Sequence, residues 1–202
     1  MLTFDESNHE YRWKGIIVPS VTQIINEWCH TRGFYVSTFN PRVCIDEAVF
    51  DERREEGKAI HLVLKLEIQN TLDWTSLAEN YVAVLRQFLS WKEEWNPEIR
   101  GVEEKLYSAQ YHFAGTLDLP CVIKRRPAIV DFKTGAFTMA GPQISGYEQL
   151  DKESDNSRIK RDRYVLWLPP DGSTHKFIPL KDKDDWAFFL SRLTQYNYLK
   201  RH

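Results

Sequence analysis

The chain has few cysteines and lacks any long apolar run, and each absence excludes a class of protein. Its 202 residues include three cysteines, Cys29, Cys44 and Cys121. Their odd number and wide separation fit neither a disulfide framework nor the spacing of metal ligands, so we expect reduced thiols. The N-terminus lacks the apolar centre of a signal peptide, and no stretch approaches the length of a membrane-spanning helix. We therefore expect a cytoplasmic protein without a membrane partner.

A net positive charge is also missing. Lysine and arginine number 27 against 29 aspartates and glutamates, which gives a formal net charge of −2 at pH 7. The chain as a whole therefore does not attract polyanions, and contact with nucleic acid requires local basic patches. The apolar content of 42% is enough to form a sizeable core.

Repeats, low-complexity segments and internal linkers are absent from the sequence, so we expect one domain over residues 1–202. It would comprise N-terminal strands, a short helix and a loop (1–45), a functional core (46–150), and a C-terminal hairpin with a closing helix (163–202). The apolar periodicity predicts further elements. The predicted helices run from Ser20 to about Trp28, Asp46 to Gln69, Asp73 or Thr75 to Trp95, Gln143 to Leu150 and Asp182 to Lys200; Ile99–Ser108 is a predicted strand, and Thr31–Arg42 and Asp151–Arg163 are predicted loops.

The stretch from residue 115 to 135 places three charged residues, Asp118, Asp131 and Lys133, inside an apolar strand pattern. The pattern predicts two strands joined by a basic turn at residues 124–127. Side chains alternate along a strand, so Asp131 and Lys133 project to one face while Val130 and Phe132 project to the other. If the strands pair as a hairpin, Asp118 lies beside Asp131. Two adjacent carboxylates without an arginine to neutralise them indicate a bound cation.

The oxygen-rich character of this pair favours Mg²⁺ or Mn²⁺, with the Phe132 carbonyl as a third ligand. Next to such an ion, Lys133 would lose some proton affinity and position or deprotonate a water, or stabilise a developing oxyanion. The chemistry indicated is metal-assisted hydrolysis of a phosphodiester. The ordinary alternative is that Asp118, Asp131 and Lys133 are solvated charges at strand ends.

Three elements of the sequence resemble the PD-(D/E)xK nuclease superfamily in its RecB-like branch. Asp118 followed by Asp131-Phe132-Lys133 resembles the superfamily signature, with Asp in a slot where many members carry Glu. The segment from Gly57 to His61 resembles the Gly-x-x-x-His element of the branch, and Gln143 to Tyr147 resembles its Gln-x-x-x-Tyr element. The matches follow the family's order and cover roughly residues 57–150. The resemblance implies an α/β fold with a restriction-endonuclease-like core, a central mixed sheet flanked by helices.

The same resemblance implies roles for further residues. His61 would complete the metal shell, and a nitrogen ligand favours Mn²⁺ over Mg²⁺. A glutamate on the strand before Asp118 would join it; the family pattern favours Glu103, although alternation does not decide between Glu103 and Glu104. Gln143 and Tyr147 share a helix face and would position the nucleic-acid strand. The family's cluster-containing members use four cysteines, so we predict no iron–sulfur cluster here.

Several other residues are candidates for nucleic-acid contact. Ser20 and Thr22 lie in a Pro-Ser-Val-Thr turn that is similar to RecB-like exonucleases of phage and bacteria and to the mitochondrial genome maintenance exonuclease, and Ser20 also suits an N-cap. Arg53 and Arg54 precede His61 and could contact phosphates. Thr134 follows Lys133 in the turn toward the site. In the predicted loops, Phe34, Tyr35 and Phe39 could stack on bases or cover the core. The basic residues of the second loop would be solvated, with a path along the nucleic-acid strand as the alternative; they are Arg158, Lys160, Arg161 and Arg163.

The function implied is a metal-dependent DNA exonuclease that acts on single-stranded ends, in DNA processing or recombination of a phage or bacterium. Its partners would be DNA and a possible recombination protein, in the cytoplasm of a bacterial or phage-infected cell. Two alternatives stay open: a structure-specific endonuclease, and a nucleic-acid-binding module that keeps the fold without hydrolysis.

Overall fold

A computed structural model of the chain describes residues 1–6, 8–26, 28–37 and 44–201. The fold is mixed α/β, with five α-helices and several sheets in the described ranges. The helices are α1 (Val21–Ile24), α2 (Glu47–Ile68), α3 (Glu79–Trp95), α4 (Ala140–Ser154) and α5 (Asp185–Arg201). The strands are β1 (Leu2–Asp5), β2 (Glu10–Trp13), β3 (Ile16–Val18), β4 (Trp28–Thr31), β5 (Phe34–Ser37), β6 (Cys44–Asp46), β7 (Glu98–Ile99), β8 (Glu104–Ser108), β9 (Phe113–Leu117), β10 (Leu119–Ile123), β11 (Arg126–Lys133), β12 (Asp162–Trp167) and β13 (Lys176–Pro179).

The central sheet is mixed, as predicted. Its strand order is β13-β12-β11-β10-β7, with β11 and β12 parallel and the other pairs antiparallel. Helix α4 provides the connection between the two parallel strands, which a tight turn could not make. Three smaller sheets, β1-β2-β3, β4-β5-β6 and β8-β9, surround it.

The predicted hairpin forms from β10 and β11, with Leu119 paired to Val130 and Ile123 to Arg126. Its turn is shorter than predicted, because Arg126 and Pro127 belong to β11. Lys124 and Arg125 both have positive φ, at 51° and 65°. Two such residues match the right-handed twist of the strands and close a hairpin with a two-residue loop.

Helices cover both faces of the central sheet, and alternation along β11 supplies both cores. Val130 and Phe132 pack with apolar side chains of α2 and α3, among them Leu64 and Phe88. Ile129 lies on the opposite face, in a second core that α1, α4 and α5 share. Asp131 and Lys133 therefore project toward the α4 side, as the alternation predicts. In the described part of the chain, no helix combines the length and the apolar character needed to cross a membrane.

The predicted loop Thr31–Arg42 is wrong for its first part. Arg32 and Gly33 both have positive φ, at 49° and 81°, and form a two-residue turn between β4 and β5. Tyr35 stacks on Phe50 of α2 with ring centres 4.0 Å apart, and both rings are partly buried. Phe34 is 44% exposed. Residues 38–42, with Phe39, lie outside the described residues.

Three other predicted elements are shorter or divided. The helix that begins after Ser20 ends at Ile24, and Trp28 begins a strand. The helix predicted from residue 73 is a single 3-10 turn, Trp74–Ser76, followed by α3, because Leu77 and Ala78 adopt extended backbone. The strand predicted over Ile99–Ser108 is split into β7 and β8.

Candidate metal centre

His61, Glu103 and Asp118 form a cluster of potential metal ligands. One ligand atom from each lies within 4.8 Å of the other two. Nδ1 of His61 is 3.3 Å from Oε1 of Glu103 and 3.5 Å from Oδ1 of Asp118. Ligand atoms around an octahedral Mg²⁺-sized ion, with bonds of about 2.1 Å, are about 3 Å apart. The spacing of the three atoms is therefore close to that of a coordination shell.

Backbone hydrogen bonds hold the two carboxylates of this cluster in place. Asp118 joins β9 to β10, and its Oδ2 accepts a hydrogen bond of 2.8 Å from the N–H of Phe132. The N–H of Glu103 donates to the carbonyl of Asp118 at 3.0 Å. Glu103 has a φ of 52°, a left-handed conformation that ends the extended chain before β8. Glu103, rather than Glu104, therefore faces His61.

Asp131 lies next to Asp118 across the hairpin. Leu119 pairs with Val130, and one step further along the same register Asp118 is opposite Asp131. Asp131 is 1% exposed. Nζ of Lys133 is 2.7 Å from its Oδ2. That oxygen is buried, and the Lys133 ammonium is the positive charge that compensates it. The pair places a buried carboxylate and an ammonium directly beside the His61, Glu103 and Asp118 cluster.

The environment separates the pKa values of the two aspartates. Burial and the nearby charge of Asp118 raise the pKa of Asp131 to about 6, against the opposing effect of Lys133. Burial also disfavours ionisation of Asp118, but the charges of His61 and Lys133 and the Phe132 N–H hold its pKa below the usual value. Asp118 is therefore the carboxylate that stays ionised most readily.

Both cationic side chains of the site are held in their charged forms. Burial alone would lower the pKa of His61, but the carboxylates of Asp118 and Glu103 raise it well above its ordinary value. Desolvation likewise opposes the charge of Lys133, and the carboxylates of Asp131 and Asp118 outweigh it and raise the pKa of the ammonium. The loss of proton affinity predicted for Lys133 depends on a bound cation. The chain by itself favours positive charge here.

The Phe132 carbonyl, the predicted backbone ligand, lies on the other side of the His61 ring from the carboxylates. Nε2 of His61 is 3.3 Å from this oxygen. The ring of His61 thus lies between the carboxylates on its Nδ1 side and the β11 backbone on its Nε2 side. Gly57 lies one turn earlier on α2, and a Cβ added there would have no atom within 4 Å. The helix is therefore open to an incoming group on this face.

Gln143 and Tyr147 lie on the face of α4 that points toward the aspartates. Nε2 of Gln143 donates to the Tyr147 hydroxyl at 3.0 Å, and the two residues are 8% and 5% exposed. Burial and then the charges of Asp131 and Asp118 raise the pKa of Tyr147. A Cβ added at Gly115 would lie 2.8 Å from the Tyr147 ring, so the glycine makes room for it. This placement suits orientation of the acidic pair better than stacking on a base.

The remaining predicted contact residues lie outside this cluster. Ser20 is buried and caps α1 in a capping box with Gln23, while Thr22 is exposed and 3.0 Å from the Ser20 hydroxyl. Arg53 and Arg54 are exposed on α2, and Arg54 is 3.2 Å from Asp51. Thr134 lines a cavity beside Lys133.

The prediction of a solvated loop over Asp151–Arg163 is wrong for two of its arginines. Arg161 is 1% exposed and Arg163 is 5% exposed. Nε of Arg161 donates to Asp151 at 2.6 Å, and its Nη2 pairs with Asp155. The reason is that α4 runs on to Ser154, which brings Asp151 inside the fold as a buried partner.

Sequence reasoning missed two aromatic residues near the site. Tyr11 of β2 shares a 2.5 Å hydrogen bond with Thr116, and burial raises its pKa to about 12, with smaller contributions from Glu103 and Asp118. Trp167 of β12 pairs in register with Lys133. Neither position has a local sequence signal, because each depends on pairing between segments far apart in the chain.

Comparison with known protein families and with curated proteins finds no match to this chain.

Proposed function

We propose that the chain is a divalent-metal-dependent nuclease of the PD-(D/E)xK type, with a restriction-endonuclease-like core, that hydrolyses phosphodiester bonds in DNA. The observation that carries the proposal is the convergence of His61, Glu103 and Asp118, whose ligand atoms lie within 4.8 Å of one another. Asp131 and Lys133 stand directly beside them on β11. Buried carboxylates next to a histidine and a lysine are the groups that metal-assisted hydrolysis of a phosphodiester needs.

His61, after loss of its proton, would hold Mn²⁺ or Mg²⁺ together with Glu103 and Asp118, and Asp131 lies beside them. The Phe132 carbonyl, on the Nε2 side of the His61 ring, would orient that ring. When bound, such an ion lowers the pKa of a coordinated water and offsets the charge of a phosphate. The ammonium of Lys133, 2.7 Å from Asp131 and 22% exposed, faces both the acidic pair and solvent. It is placed to stabilise negative charge that develops on the scissile phosphate. Gln143 and Tyr147, buried on α4 and hydrogen-bonded to each other, would orient this group of side chains.

Exonuclease action on single-stranded ends is the form of the activity we propose, in DNA processing or recombination. The net charge of −2 offers no general attraction for duplex DNA. Binding therefore has to use local contacts close to the site, which a flexible single strand can reach more readily than a stiff duplex.

The test compares linear and circular single-stranded DNA with Mn²⁺, Mg²⁺ or EDTA. We expect degradation of the linear form with Mn²⁺, an intact circle, and no reaction in EDTA. Asp131→Asn, which keeps the shape and removes the charge, should abolish the reaction and weaken Mn²⁺ binding measured by titration calorimetry. The matched control is Asp162→Asn on β12, a carboxylate 2.8 Å from exposed Arg126, which should retain activity.

The outcomes separate the alternatives. Cleavage of the circle would identify an endonuclease. Binding of DNA without cleavage under any metal would identify a non-hydrolysing module and overturn the proposal. If the Asp131→Asn variant keeps its activity, the reaction takes place at another site.

A further inference from the structure

A cavity of about 460 Å³ lies beside the proposed metal centre, where β11 ends. Residues 134–137, which follow Lys133, form one wall, and Trp167, Lys176 and Ile178 form the other. Trp167 and Phe137 are only partly buried, unlike Trp91, which is 0% exposed. The cavity thus presents the aromatic surface of Trp167, the residue paired with the proposed catalytic lysine on the neighbouring strand, and of Phe137, four residues after that lysine.

The register of the sheet aligns this cavity with the site. Trp167 pairs with Lys133 across the parallel strands, and Lys176 pairs with Trp167 across the next antiparallel pair. Paired residues on adjacent strands project to the same face, and neighbouring strands are about 4.8 Å apart. Lys133, Trp167 and Lys176 therefore form one row across three strands, and the row begins beside Asp131.

The row alternates an ammonium, an aromatic ring and a second ammonium. Nζ of Lys176 lies 4.9 Å from the centre of the Trp167 ring. Within the described ranges no carboxylate is in ion-pair distance of Lys176, in contrast to Lys133, which pairs with Asp131. Exposed cations that interleave with aromatic rings are the features by which proteins hold single-stranded nucleic acid, since rings stack on bases and cations contact phosphates.

We propose that Trp167 and Phe137 form a stacking subsite for the unpaired base next to the scissile phosphate, and that Lys176 contacts the adjoining phosphate. The proposal rests on the nuclease function proposed above, and it identifies single-stranded polynucleotide as the substrate form. A base within a duplex is paired and stacked on its neighbours, so it enters such a cavity only after unstacking. The protein would therefore select unpaired ends through the aromatic rings that the sheet register places beside Lys133, and not through its net charge.

The test measures binding of a labelled single-stranded oligonucleotide in EDTA, by fluorescence anisotropy, so that no cleavage occurs. We expect Trp167→Leu to weaken binding about tenfold, in the range for loss of one stacked base. Trp167→Phe keeps an aromatic face and should stay within about threefold of the unchanged protein. Binding of blunt duplex DNA should be equal in all three proteins.

Trp95→Leu is the matched control. Trp95 also carries a lysine over its ring, Lys124 at 4.4 Å, but it packs on the core that α2 and α3 share, on the other side of the sheet. Its loss should leave single-strand binding unchanged. Equal losses in Trp95→Leu and Trp167→Leu would indicate a general effect on folding and overturn the subsite.

Two further measurements do not depend on the folding of Trp167→Leu. Exposed Lys176→Gln should reduce the slope of log Kd against log salt concentration by about 0.7, the value for one phosphate of a single strand. An unaltered slope would show that Lys176 does not contact a phosphate. In a series of oligonucleotides that each lack one base, at successive positions, the unchanged protein should bind one member about tenfold more weakly than the complete strand. Equal binding of all members would overturn the subsite.

The subsite and the nuclease proposal can fail separately. Cleavage of linear DNA with Mn²⁺, together with unaltered binding by Trp167→Leu, would refute the subsite and leave the nuclease. Binding that depends on Trp167 without cleavage under any metal would refute the nuclease and leave a single-strand-binding site.

Discussion

The N–H of Phe132 donates a 2.8 Å hydrogen bond to Oδ2 of Asp118, which ties a carboxylate at the start of one strand to the backbone of its neighbour. This bond fixes where Asp118 points, so that its other oxygen faces His61 at 3.5 Å. It also makes Asp118 both a structural residue and a candidate metal ligand. The two roles predict different results for two substitutions.

Asp118→Asn keeps a carbonyl oxygen that can accept from Phe132 and removes the charge, so we expect a fall in Mn²⁺-dependent cleavage of at least about 100-fold with near-normal stability. Asp118→Ala also leaves the buried N–H without an acceptor and should lower the free energy of unfolding by about 1–3 kcal/mol. Urea denaturation and initial cleavage rates measure the two effects. Equal stability of both variants would show that the hydrogen bond from the Phe132 N–H contributes nothing to the free energy of unfolding.

His61 supplies the nitrogen ligand of the proposed centre, and this predicts the choice of metal. Imidazole suits Mn²⁺ better than Mg²⁺, whereas an amide oxygen suits both. We expect the unchanged protein to be faster with Mn²⁺, and His61→Gln to lose most of that preference as well as rate. The ratio of initial rates with the two metals measures it. The control is His175→Gln, whose ring lies 3.7 Å from Glu94 on α3 and away from the site, and it should keep the ratio.

Gly57 lies on an open helix face one turn before His61, and Gly57→Ala separates stability from function. An added Cβ meets no atom within 4 Å, so the variant should gain about 0.5–1 kcal/mol in the free energy of unfolding from helix propensity. If substrate approaches this face, cleavage should fall while stability rises. Thermal denaturation and cleavage rates on the same samples give the comparison. If the variant gains stability and cleaves at an unchanged rate, substrate does not approach the helix at Gly57.

Local periodicity predicted the features that depend on neighbours in sequence. The alternation of Val130, Asp131, Phe132 and Lys133 and the hairpin with Asp118 follow from a period of two. The choice of Glu103 over Glu104 did not follow from this period, because it depends on the left-handed φ of 52° at Glu103, which interrupts the alternation.

Features that depend on pairing of distant segments were not predictable. The row that contains Trp167 requires the parallel register between β11 and β12, which no local pattern encodes. Burial of Arg161 requires the extra turn of α4 that brings in Asp151. The predicted loop after Thr31 failed for a different reason, because its hairpin is local. The strand residues Phe34, Tyr35 and Val36 directly follow the turn at Arg32 and Gly33, but the Gly, Ser, Asn and Pro content of the whole stretch favoured a loop.

The buried pair of Arg161 and Asp151 predicts a large loss of stability when one partner is removed. Both side chains are almost inaccessible, at 2% and 3% exposed. Asp151→Ala leaves the guanidinium buried with a weakened set of acceptors and should cost about 3–5 kcal/mol in the free energy of unfolding. Asp162→Ala, which breaks the exposed pair with Arg126, should cost less than about 1 kcal/mol. Similar losses in both, measured by urea denaturation, would contradict the burial of Arg161.

The three cysteines are predicted to differ in their reactivity toward alkylating reagents. Cys121 lies in the middle of the central sheet, and burial raises the pKa of its thiol to about 12, whereas Cys29 and Cys44 are exposed. The thiolate is the reactive form, so a raised pKa leaves Cys121 protonated throughout the range in which iodoacetamide is normally used. At pH 8 we expect mass spectrometry to find two alkylated thiols in the folded protein and three after unfolding in urea. Rapid alkylation of Cys121 in the folded chain would mean that the sheet opens at β10, and the hairpin that positions Asp118 against Asp131 would then be less stable than its burial implies.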